Sequence, residues 1–189
     1  MNSFLTEEEL STQGLLSVGE DVKLSRKASL YAPEKIVIGD HVRIDDFCIL
    51  SGNIQIGDYV HIAAYTAIYG GGAGVFIEDF ANISSRVSIY SVNDDYTGAS
   101  MTNPMIPENF RHVESSPVHI GRHVIIGSTS VILPGVTLCE GSAFGSFSLI
   151  NHDAESWSLN VGIPFRKIRE RSRDILVMER RFLEMEQKH

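Results

Sequence analysis

The chain is poor in cysteine, in tryptophan and in positive charge. Two cysteines, Cys48 and Cys139, among 189 residues cannot build a disulfide framework and fit a reducing compartment. Basic residues number 16 against 24 acidic ones, a net charge of −8. That balance argues against nucleic acid or an anionic membrane as partner, because both need a basic face. No apolar run approaches the roughly 20 residues of a membrane span. The opening residues 1–6 place no basic stretch ahead of an apolar one, so no secretory leader is expected. The G-x-S-x-G of a hydrolase nucleophile elbow is absent. The run Gly70–Gly74 lacks the Lys-Ser/Thr of a phosphate loop and reads as a backbone kink. What is left is a soluble, cytoplasmic chain, long enough to bury a core without covalent staples.

What the chain does have is a period of six. Large apolar residues stand at Val18, Leu24 and Leu30, then at Ile38, Ile44, Leu50, Ile56, Ile62 and Ile68. They resume at Ile77, Ile83 and Ile89, and again at Ile120, Ile126, Ile132, Leu138, Phe144 and Ile150. Of the 17 gaps in this series, 14 are six residues long. Six matches neither a helix nor a long alternating strand, and a β-sandwich would space its strands 8–12 apart. It fits short strands separated by corners, with one large and one small residue per unit facing inward; the small one stands four residues after the large, as at Val42, Cys48, Val60 and Thr66. Glycine follows the large residue at 19, 39, 57, 121, 127 and 145, where tolerance of positive φ suits a corner. Three units per turn give a triangular β-solenoid of about six turns.

Three segments break the period. Thr6-Glu7-Glu8-Glu9 before Leu10 carries the signature of a capping box, so residues 1–15 are expected to form a short helix over the open end of the solenoid, which occupies 16–163. An insertion at 91–116 holds Asp94 and Asp95, and long excursions from a regular scaffold are more often functional than decorative. From Pro164 to residue 189 a C-terminal helix is expected: Ile168, Ile175 and Phe182 recur every seven residues, packed on its own solenoid or on a neighbouring chain. Eight of the 16 basic residues lie in the last 24 positions. With five acids there, that end carries +3 and the rest −11, which suits either a solvated face or an anionic ligand.

The aliphatic-Gly-x-x-x-x units resemble the hexapeptide-repeat proteins. Pro117–Ser128, Leu133-Pro134-Gly135-Val136-Thr137 and Gly162-Ile163-Pro164-Phe165-Arg166-Lys167-Ile168 are similar to the galactoside and maltose O-acetyltransferase branch of the acyltransferases. Arg43–Phe47, Tyr59–Ile62 and Ser91–Gly98 resemble more closely the sugar acyltransferases of surface-polysaccharide synthesis. The resemblance implies an all-β fold, a left-handed parallel β-helix assembled as a homotrimer with acyl-CoA in the cleft between chains. It implies transfer of an acetyl or short acyl group from acetyl-CoA to a hydroxyl or amino group of a sugar or nucleotide-sugar, with no metal. Carried over by position, Ser128 and Ser146 would line the pantetheine arm, and Arg166 and Arg169 would meet the CoA phosphates. The branch's loop histidine and its asparagine partner fall on Asp94 and Ala64, so the base must be reassigned.

Acyl transfer needs a base for the acceptor and a donor for the oxyanion, and histidine titrates nearest to neutral pH. His61 is the histidine nearest the branch's asparagine position. Its expected partner is Asp94 or Asp95, reached from the neighbouring chain, because His61 and Asp94 belong to different corners of one prism. Two other classes fit the fold: a zinc hydratase of the γ-carbonic-anhydrase type using His61, His119 and His123, and a scaffold without catalysis. The four-residue spacing of His119 and His123 weighs against the first.

Overall fold

A computed structural model of the protein describes residues 3–186. Met1, Asn2, Lys188 and His189, which entered the reading of the termini, lie outside the described residues. The repeat unit does form short strands with corners between them. A first face runs through Ser17–Val18, Ile36–Ile38, 54–56, 75–77, Val118–Ile120, Thr137–Leu138 and a bridge at Ala154. The second runs through Lys23–Leu24, Arg43–Ile44, His61–Ile62, Asn82–Ile83, Ile125–Ile126, Ala143–Phe144 and Ser158–Val161. The third comprises Ser29–Tyr31, 49–51, 67–69, Ser88–Tyr90, Val131–Ile132 and Leu149–Ile150. All these pairings are parallel, so each coil stacks on the one before. The left-handed β-helix therefore has six complete turns and two faces of a seventh. Ala154 and Asn160 stand where the last coil would carry its large apolar residues, and that is why the sequence period stopped at Ile150.

Each turn buries the residues the period marked. Leu24, Ile44, Ile62, Ile83 and Ile126 form one inward column, and Val42, Cys48, Val60 and Val87 fill the narrow corners between columns. Thr66, Ser130 and Ser148 are buried too, and their hydroxyls donate to carbonyls of Ser84, Gly127 and Gly145 at 2.7–2.9 Å, which meets the cost of burying them. Cys48 is packing rather than chemistry: burial pushes its thiol up to about 11.

The expected reason for the corner glycines is corrected. Positive φ falls two residues later, on Asp21, His41, Tyr59 and His123, and on Phe80, where Glu78 takes the glycine's place. The glycines are needed for close approach instead: a Cβ on Gly39 would stand 2.7 Å from the backbone carbon of Gly57 on the next coil. The left-handed corner residues then stack along the prism, His41 on Tyr59 at 4.6 Å, Tyr59 on Phe80 at 5.0 Å and Phe80 on His123 at 5.2 Å. Stacking at these separations offsets part of the αL cost.

At the N-terminus Thr6 and Glu9 form the capping box of helix α1 (Glu7–Ser11), and Arg26 holds Glu9 through a bidentate ion pair. The C-terminal expectation is corrected. Residues 164–174 are not helical: Arg166–Glu170 is a strand that returns antiparallel along Ser158–Val161. The last coil would otherwise leave its backbone donors and acceptors unpaired, and the returning strand satisfies them. Ile168 is thus on an edge strand and 57% exposed. Helix α2 spans Ile175–Glu186 and packs on its own solenoid. Phe182 meets the Tyr59 ring edge-on at 5.1 Å, and Glu179 accepts from His123 Nε2 at 2.8 Å and from Arg122. Among the described residues no helix is long and apolar enough to cross a membrane.

Candidate active site

His61 projects from the second face between Arg43 and Asn82. Its Nε2 lies 2.9 Å from Asp45 Oδ2, and the Asn82 side-chain amide lies 3.2 Å from Nδ1. Asp45, one coil earlier in the same chain, thus sets a carboxylate against His61. Within the chain His61 stands apart from Asp94 and Asp95, as the corners of the prism require; it faces a hollow beside α2, with Ile175 and Met178 opposite. His119 stacks on Phe76 at 5.0 Å, and His123 is buried with Nε2 on Glu179. Among the described residues no three histidine, cysteine or carboxylate side chains gather to hold a metal.

The insertion builds a different site. Val92–Asp94 pairs antiparallel with Val113–Ser115, Asp94 opposite Val113. Strand alternation then places Val92 and Asp94 on one side with Val113, and Tyr96 and Arg111, beyond the strand ends, line the same hollow. That side, facing Tyr69 and Tyr90 of the third face, encloses a groove of about 860 Å³. The two tyrosine rings stack at 5.0 Å and form its floor.

Asp94 and Asp95 have unlike roles. Asp95 accepts from Thr97 N at 2.7 Å, from the Thr97 hydroxyl at 2.6 Å and from Ser100 N at 2.8 Å. Those bonds, led by the Thr97 hydroxyl, hold its carboxyl below the usual range; Asp95 ties the loop. Asp94 accepts no hydrogen bond among the described residues and is half-buried in the groove. It is the carboxylate left available for chemistry.

Ser128 and Ser146 occupy equivalent corner positions on successive coils, between the second and third faces. The Ser128 hydroxyl lies 3.4 Å from that of Ser85 on the coil before, and Ser146 is exposed. Along the same corner Tyr65, Phe147 and Ile163 are 55%, 64% and 72% exposed. Arg166 and Arg169 lie exposed on the returning strand, opposite Val161 and Leu159. Other basic residues of this end are engaged: Lys167 with Glu155 and Glu170, and Arg171 with the carbonyls of His123 and Gly141 at 2.7 and 2.9 Å. Arg173 lies over Trp157. Arg111 escaped the sequence reading; the alternation of Val92, Asp94 and Tyr96 was the available signal, but the returning strand had no recognisable pattern to pair with it.

A dTDP-4-amino-4,6-dideoxy-D-glucose acyltransferase from Escherichia coli is 51% identical over 180 residues, covering 94% of this chain and 93% of that protein. The chain belongs to the hexapeptide-repeat acyltransferases. The family model for the bacterial transferase hexapeptide (six repeats) matches residues 35–70 and 117–152, the solenoid on either side of the insertion. AntD, an N-acyltransferase from Bacillus cereus, has been solved as a variant with dTDP and coenzyme A. That structure superposes with a TM-score of 0.96 at 49% identity, covering 98% of this chain and 100% of that one. A second AntD structure, with dTDP and 3-hydroxybutyryl-CoA, gives a TM-score of 0.95 over 99% of this chain and 100% of that one. In this acyltransferase the insertion is therefore shared with relatives over nearly the whole length.

Proposed function

We propose that the protein transfers a short acyl group from acyl-CoA to the amino group of a nucleotide-linked amino sugar of the dTDP-4-amino-4,6-dideoxyglucose class, with Asp94 as proton acceptor. The observation that carries the reading is the groove under the insertion, in which Asp94 is a half-buried carboxylate without a partner beside the Tyr69–Tyr90 stack. The relatives support the substrates: AntD has been solved with dTDP-4-amino-4,6-dideoxyglucose and coenzyme A. Its solved variants include changes at an aspartate numbered 94 and a serine numbered 84 in that protein, and this chain has aspartate and serine at those numbers.

In this reading the uncharged amine attacks the thioester carbonyl directly, and no enzyme nucleophile is needed. Asp94 takes the proton the nitrogen gives up as the N–C bond forms. The C–S bond then breaks and CoA leaves as thiolate, which is protonated from solvent. Ser84, on the corner that also carries Ser85 and Ser128, is assigned the donor to the carbonyl oxygen as charge develops there. Ser128 and Ser146 line the pantetheine arm, and Arg166 and Arg169, exposed and without ion pairs among the described residues, meet the CoA phosphates.

The site is shared between copies in a homotrimer. On one corner Phe47 stacks on Tyr65, and Phe147 and Ile163 follow on later coils, all of them exposed; they support burial against a neighbour, since exposed apolar patches mark interaction sites. The protein acts in the cytoplasm, on a precursor for surface polysaccharide. The test is direct: incubate the protein with acetyl-CoA and dTDP-4-amino-4,6-dideoxyglucose, and follow thiol release with the mass of the nucleotide sugar. One acetyl group gained per thiol released is expected, with turnover about 10²–10⁴-fold lower in Asp94→Asn. No product, or undiminished turnover in that variant, overturns the reading.

A further inference from the structure

The groove holds a cation, Arg111, that forms no ion pair among the described residues. Arg111 follows the short helix Glu108–Phe110, and its backbone bridges to Met101. Its Nε is buried and has no hydrogen-bond partner. Its guanidinium takes part in no ion pair among the described residues, although Arg122, Arg26 and Lys167 all do. Buried donors are normally satisfied, and each exception calls for an explanation.

The fold around the groove supplies one. Asp94 pairs with Val113, and Arg111 lies two residues before Val113, just outside that strand, where its backbone bridges to Met101. Asp94 and Arg111 line the groove with Tyr90 and Tyr96. Among the described residues the Asp94 carboxylate and the Arg111 guanidinium form no salt bridge, although both line the one groove. They can meet the two ends of one ligand. A hexose with an amine at C4 and a diphosphate on its anomeric oxygen has a proton-releasing nitrogen at one end and anionic oxygens at the other. The guanidinium fork matches phosphoryl oxygens in paired hydrogen bonds.

We infer that Arg111 binds the diphosphate oxygens of the nucleotide-sugar acceptor and so sets the sugar's amine against Asp94; the inference rests on the acceptor class proposed above. It makes Arg111 a specificity residue, selecting acceptors that carry an anomeric diphosphate over free amino sugars. CoA also contains a diphosphate, so the two sources must be separated by titrating them apart.

Calorimetric titration of the full-length protein with dTDP alone and with CoA alone does this. In Arg111→Gln the dTDP Kd is expected to rise about tenfold to a hundredfold, the range for losing a hydrogen bond to a charged group, while the CoA Kd stays within about twofold of wild type. Unchanged dTDP affinity overturns the inference, and so does a loss confined to CoA. Should the melting temperature show that Arg111→Gln has lost its fold, Arg111→Lys takes its place. Lysine keeps the charge but not the fork, and dTDP binding at least about threefold weaker is expected; unchanged binding overturns the inference. Wild-type protein that binds CoA but not dTDP sinks the acceptor reading, and this inference falls with it. A variant matching a wild type that does bind dTDP sinks the inference alone.

Discussion

Nε2 of His61 lies 2.9 Å from the carboxylate of Asp45, one coil earlier in the same chain. Arg43 Nε donates to the other oxygen of that carboxylate at 2.8 Å. Partial burial raises the Asp45 carboxyl, but the bonds from His61 and Arg43 together outweigh it and hold the group below the usual range. With Asn82 at Nδ1, both ring nitrogens of His61 face groups of its own chain.

Turnover in His61→Gln is therefore expected within about threefold of wild type, against the larger loss predicted for Asp94→Asn. Steady-state kinetics with saturating acyl-CoA would show it. A hundredfold loss in His61→Gln would restore histidine as the base.

Asp95 stands beside Asp94 in sequence but acts on the loop. Asp95→Ala removes three hydrogen bonds to Thr97 and Ser100, and the acceptor KM is expected to rise about tenfold with kcat changed less than about threefold. Equal losses in kcat for both aspartates would mean that Asp95 touches the reacting atoms.

His123 makes the docking of α2 sensitive to acid. Its Nε2–H donates to Glu179, and its Nδ1 is buried with no partner. The neutral ring fits that arrangement, because a second N–H would be buried unsatisfied. Burial first, then the nearby Arg122, push its pKa below the ordinary value despite Glu140 and Asp79. The unfolded chain thus takes up the proton at higher pH than the folded one, so stability is full above about pH 6.5 and declines as pH falls through that value. Melting temperature against pH should bend there, and the bend should vanish in His123→Gln.

The glycines separate two physical causes. In Gly39→Ala the new Cβ would stand 2.7 Å from the Gly57 backbone, and a loss of about 1–3 kcal/mol is expected from overpacking. A Cβ on Gly72 meets nothing within 4 Å, so Gly72→Ala should stay within about 0.5 kcal/mol of wild type. Chemical denaturation of both variants provides the comparison. Equal effects would assign the cost to backbone conformation instead of contact.

The prism was legible in the sequence because its constraint is local and repeated: every sixth residue fills the next of three inward columns. The hairpin edge from 166 to 170 was not, since its cause lies in the unpaired rim of Ser158–Val161 rather than in its own side chains. The seven-residue spacing of Ile168, Ile175 and Phe182 therefore spans two unlike elements. Asp94 was reached by counting repeats, whereas its neighbour Arg111 depends on the pairing of strands nearly twenty residues apart. His61 drew attention as a histidine at a suitable corner, and only the coil stacking revealed Asp45 and Asn82 as its partners.

Helix α2 changes what kind of polymer this solenoid is. Each coil otherwise touches only the coils above and below, an arrangement that lets a stack melt from either end like a zipper. Phe182 meets Tyr59 and Phe80, and Glu179 meets His123, so the chain leaving the last coil is clasped to three coils in the middle. Fraying from the C-terminal end must first release that clasp. The coils that flank the insertion, and with them the groove, then share one opening event instead of several, and their amides should exchange with solvent as a single cooperative block.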